Sequence, residues 1–126
     1  MKTSVPYPGL TSKTLLALLL LVSSSLAASD SRIFVLSADE WARPRSGSVI
    51  AQFDAVRAAV NYWQRLERGV IVVRYPGEDS GELWAAELHD WLISLGVPSD
   101  YVRLVAGNQA ADEIRLLVGS RDELEQ

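Results

Sequence analysis

The chain has no cysteine, and only one histidine and one methionine in 126 residues. Without a thiol there is no disulfide framework, thiolate zinc site, thiol nucleophile or cysteine-linked lipid. Lysine is nearly as scarce. Lys2 and Lys13 are the only two, and both fall within the first 27 residues. Beyond them every basic side chain is an arginine. Ten arginines then face sixteen acids, a net charge of −6. A balance this acidic argues against a nucleic-acid binder, which needs a basic face to neutralise phosphates. No apolar run reaches the roughly 20 residues that span a bilayer as a helix. No Gly-x-Ser-x-Gly elbow, glycine-rich phosphate loop or metal-ligand spacing is present.

The first 27 residues have the layout of a secretory signal peptide. The two lysines give a positive start, Thr14 to Val22 (TLLALLLLV) is a short apolar run, and Ser25-Leu26-Ala27 fits the small-x-small rule for cleavage. The expected cut follows Ala27 or Ala28. Retention as an uncleaved anchor is the alternative, because apolar character continues weakly to Ala28. Export without cysteine points to the periplasm. The expected domain is residues 28–119, followed by a charged tail over 120–126.

That domain alternates strand and helix. Ile33-Phe34-Val35-Leu36 predicts a short buried strand. Val49, Phe53, Val56, Val60 and Trp63 share one face of a helix expected over about 48–68. Val70 to Val73, four β-branched residues in a row, predicts a central strand covered on both faces. Trp84, Leu88, Trp91 and Leu95 line a second helix, which Gly96 and Pro98 end. Strands follow at Tyr101–Val105 and Glu113–Val118. A hairpin between these two is the simplest pairing, though the intervening residues allow another. The order is β-α-β-α-β-β. It implies an α/β domain, a two-layer sandwich with helices on one face of a small mixed sheet.

The segment Trp91-Leu92-Ile93-Ser94-Leu95-Gly96-Val97-Pro98, with the apolar strand after it, resembles the OmpA-like C-terminal domain family. The likeness extends over about residues 32–119 and is clearest over 84–107. The resemblance implies a fold that holds the peptide stem of peptidoglycan with an aspartate and an arginine. An arginine fork pairs with a carboxylate through two parallel hydrogen bonds. Here the sequence departs from the pattern. The arginine position falls on Trp84, the strand–helix loop is short, and only Asp79 is available to stand for the aspartate. The implied relative is a degenerate one.

Candidate residues follow from this. Arg74 and Asp79, at the carboxyl end of the central strand, are either a replacement ligand pair or solvated loop charges. Trp41 with Arg43 and Arg45 is either a partner-docking patch or a tryptophan folded onto the edge of the core. His89 lies between Glu87 and Asp90, at spacings that do not face it on a helix. The acid pairs Asp39-Glu40, Glu78-Asp79, Asp112-Glu113 and Asp122-Glu123 have no partner motif. No catalytic residue, metal or cofactor is expected. The expected function is that of a non-enzymatic protein-interaction or structural accessory of a cell-envelope assembly, such as a conjugation or secretion apparatus. The alternative is a divergent peptidoglycan-binding module.

Overall fold

A computed structural model describes residues 31–125. The expected signal peptide and its expected cleavage site lie outside the described residues. Four strands form one mixed sheet: β1 (Arg32–Ser37), β2 (Gly69–Tyr75), β3 (Val102–Ala106) and β4 (Glu113–Ser120). The helices are α1 (Ala38–Trp41), α2 (Gly47–Ile50), α3 (Asp54–Gln64), α4 (Asp79–Ser94) and α5 (Arg121–Leu124). The α/β class and the order of the main elements are as the sequence implies. The long helices α3 and α4 pack on one face.

The strand order is β1-β4-β2-β3. The expected hairpin between the last two strands is therefore not formed. β3 runs parallel to β2 at the edge, while β4 lies antiparallel between β1 and β2. The reason is burial. Ile114, Leu116 and Val118 are all fully buried, a pattern that suits an inner strand better than a marginal hairpin. The connection crosses the carboxyl end of β2, where Gly107 and Asn108 both donate backbone N–H bonds to the Tyr75 carbonyl at 3.0 Å. Buried Asn108 fixes the crossing. Its amide donates to the Glu113 and Ala110 carbonyls at 2.8 and 3.2 Å.

β2 is buried along Val70 to Val73, as its composition predicts. Ile71 and Val73 face the helices and join the main core. Val70 and Val72 point to the other face, whose lower end is covered by α5. This short helix replaces the expected frayed tail. Ser120 caps it by accepting the Glu123 N–H, and Glu125 pairs with Arg103 at 3.0 Å.

β1 is an edge strand rather than a buried one. Leu36 is its only fully covered residue, because no element among the described residues packs over Ile33 and Val35.

The single helix expected over 48–68 is divided. Ala51 to Phe53 forms a turn, and Phe53 takes an extended conformation (φ −61°, ψ 123°) ahead of α3. The apolar period survives the break, since Phe53, Val56 and Val60 are all buried. Phe53 turns inward to meet Trp41, at 6.2 Å between ring centroids. α3 stops at Gln64 because Trp63 Nε1 donates to the Gly69 carbonyl at 2.8 Å, drawing the chain into the next strand.

α4 ends where its sequence implies. Val97 donates to the Leu92 carbonyl and Gly96 to the Ile93 carbonyl, at 3.1 and 3.0 Å. Gly96 has φ +105°, and Val97 packs beside Leu92. This is a Schellman end. A 3₁₀ turn over Ser99–Tyr101 then delays β3 by one residue relative to expectation.

Candidate functional site

The alternation of the strands sorts the sheet into a packed face and an open one. Directly paired residues point the same way. One row on the open face runs Val35, Arg115, Arg74, Val105 across β1, β4, β2 and β3. The next row runs Ile33, Leu117, Val72, Arg103. Three arginines thus share a face with an apolar stripe. Ile33 is 59% exposed and Val35 47%.

The three guanidinium groups differ in their company. Arg103 binds Glu125 and donates to the Asp100 carbonyl at 2.7 Å. Arg115 pairs with Glu113 at 3.0 Å. Arg74 sits directly opposite Arg115 and has no hydrogen bond or ion pair to any described residue. Like charges directly opposed in a sheet repel. Two shallow hollows flank Arg74. One of about 200 Å³ is lined by Gly107, Asn108, Gln109 and Arg115; a wider one of about 500 Å³ reaches Val105 and Leu124.

Asp79 does not join this face. It is the first residue of α4, on the packed side of the sheet, and no contact links it to Arg74. The two expected ligand residues do not converge. The loop between them is also tightly closed. Gly81, in the first turn of α4, lies so near the Pro76 carbonyl that a Cβ there would overlap its oxygen.

Trp84 is 9% exposed, its ring centroid 6.1 Å from that of Trp41. Its indole N–H is buried without a partner.

Trp41 is folded onto the core, the second of its two expected placements. It lies on α1, 7% exposed, because Trp84 and Phe53 cover it. Arg45 closes the same cluster from outside. Its guanidinium lies 4.8 Å from the Trp41 ring and donates to the Trp41 carbonyl and to both Glu87 oxygens at 2.7–3.1 Å. Arg43 and Arg45 are exposed, and of the three expected docking residues only Arg43 has no side-chain partner among the described residues.

His89 does touch its neighbour, contrary to the spacing argument: Nδ1 lies 3.2 Å from Asp90 Oδ1 on the surface. Among the described residues no three His, Asp or Glu side chains are grouped to hold a metal ion. No described helix is long and apolar enough to cross a membrane.

Sequence reasoning does not reach Arg103 and Arg115. Each alternates outward in its own strand, but their union with Arg74 depends on strand order, which local pattern does not encode. Nor does it reach a hollow of about 360 Å³ at the opposite end of the sheet, lined by Arg68, Tyr101, Ser120, Arg121 and Asp122. There Arg121 is held by Glu125 and the Asp100 carbonyl.

No protein-family model matches the chain, and no match is found among curated proteins.

Proposed function

We propose that this is an exported, non-catalytic interaction domain of the bacterial periplasm, working within a cell-envelope assembly of the conjugation or secretion kind. The leader supports export. The resemblance to the OmpA-like family over 84–107 supports an envelope setting. The observation that carries the reading is the open sheet face, where an unpaired Arg74 lies among exposed apolar side chains. Such a mixed apolar and arginine surface suits a protein partner.

Peptidoglycan is the less favoured ligand. The resemblance would put the stem-binding arginine at Trp84, which is a buried indole here, and Asp79 lies on α4 while Arg74 lies on the open face of the sheet.

The test is site-specific photo-cross-linking in the expressing cell, after fractionation. A cross-linking residue at Val105, on the open face, is expected to trap one discrete envelope protein, and the same residue at Ser94 is not. An adduct that forms equally from Ser94, or recovery of the chain in the cytoplasm, would overturn the proposal.

A further inference from the structure

The two edges of the sheet are treated differently. β3 carries Arg103 on its own strand, and that charge is tied to Glu125 of the segment folded beside it. A charge on an edge strand and a covering segment both discourage pairing with another chain. Among the described residues no segment covers the outer side of β1, and its one charge, Arg32, stands at its first position with the guanidinium drawn 4.4 Å over the Tyr62 ring. The strand contains no proline, glycine, lysine or acid, and its register with β4 is unbroken from Arg32 to Ser37, so no bulge twists it away. Its outer side offers the unused backbone N–H and C=O groups of a six-residue strand, flanked by exposed Ile33 and Val35.

We propose that β1 pairs antiparallel with β1 of a second copy of this chain, joining two four-stranded sheets into one of eight. The inference does not depend on the envelope reading. Two observations favour a second copy over another strand donor.

The first is self-complementarity. A two-fold axis perpendicular to the sheet keeps both open faces on one side only if residues of like alternation meet. Centring the axis on Phe34 does this. It places Ile33 opposite Val35 of the partner, twice, so the four exposed β-branched side chains cover one another in one row. Phe34 meets its own copy on the helical side, where it is half-covered by Tyr62 at 6.3 Å.

The second is charge. β1 begins with Arg32 and is followed at once by Asp39 and Glu40 in α1. Antiparallel pairing brings the basic end of each strand beside the acidic end of the other, at both ends. An unrelated apolar strand would gain the backbone bonds but not this match.

The absence of native cysteine gives a direct test. Directly opposed residues in an antiparallel ladder have Cα atoms about 4.5–5.5 Å apart, inside the disulfide range of about 4.4–6.8 Å. Protein purified from cells expressing the whole chain is expected to sediment as a dimer, dissociating in the micromolar range. An equimolar mixture of Ile33→Cys and Val35→Cys should oxidise to a mixed dimer, faster than Ile33→Cys alone and faster than a Ser94→Cys control. Val35→Lys puts a like charge on each side of the axis and should weaken the dimer at least tenfold, with the far-ultraviolet circular dichroism and melting of a folded chain retained.

A monomer throughout that range would overturn the proposal. So would a dimer that survives Val35→Lys, or oxidation that proceeds as fast at Ser94→Cys as in the mixture.

Discussion

Gly81→Ala separates a close backbone approach from ordinary helix propensity. Gly81 lies inside α4, where alanine would normally add about 1 kcal/mol of stability. The Cβ would overlap the Pro76 oxygen and stand 3.0 Å from its carbonyl carbon. These are backbone atoms of a loop whose neighbour, the Tyr75 carbonyl, is held by two N–H bonds from the β3–β4 connection. The clash cannot be relieved by turning a side chain. Overpacking of this kind costs about 1–3 kcal/mol and sometimes more. The overlap with backbone places the cost at the upper end, about 3 kcal/mol, so the net expectation is a loss of about 2 kcal/mol after the propensity gain of about 1 kcal/mol. For a domain of this size that lowers the melting temperature by roughly 8–16 °C. The urea midpoint should fall by on the order of 1 M.

Gly47→Ala is the matched control. Its Cβ would meet Trp91 Cζ3 at 3.7 Å, an ordinary contact, so the same substitution should leave stability unchanged or raise it by up to about 1 kcal/mol. The assay is urea unfolding followed by tryptophan fluorescence. A Gly81→Ala midpoint at or above that of the parent would refute the closed strand–helix loop. So would an equal fall in both variants.

Other outcomes follow from the core and its margin. Leu88→Ala, at a fully buried position of α4, should cost about 2–5 kcal/mol by chemical denaturation. Trp84→Arg should destabilise by more than about 3 kcal/mol, because it replaces a buried indole with an unpaired charge beside Trp41; it is not expected to create affinity for peptidoglycan. Trp84→Phe should cost less than Trp84→Ala, since it keeps an aromatic ring in place while removing an indole N–H that is buried without a partner. Arg45→Ala should cost about 1 kcal/mol, as it removes a half-exposed ion pair and a cation–π contact together. It should also redshift tryptophan emission by admitting water to Trp41.

Elements with strong local signals are legible in the sequence itself. Val70–Val73 is a buried strand because four β-branched side chains favour a pleated, covered segment. The end of α4 is legible because Leu92, Gly96 and Val97 supply all parts of a Schellman turn over a short stretch of chain. What fails depends on distant partners. The helical period across 49–63 is real, yet Phe53 leaves it to meet Trp41. Trp41 is buried because Phe53 and Trp84, the latter from far along the chain, both cover it. The insertion of β4 between β1 and β2 is a choice among pairings that no short window contains. The same choice gathers Arg74, Arg103 and Arg115 on one face and leaves Asp79 on the other. The candidate site is thus half legible, through Arg74 alone.

If this domain meets a protein partner through its open sheet face and has no stem-peptide pocket, it should ignore the cell wall. The most direct measurement is co-sedimentation of the purified protein with isolated peptidoglycan sacculi, beside an Arg74→Ala, Asp79→Ala double variant. Neither protein is expected to show saturable binding at physiological salt. Saturable binding by the parent chain that the double variant loses would mean that a stem-peptide site persists at Arg74 or Asp79, and that the domain's ligand is the cell wall rather than a protein partner.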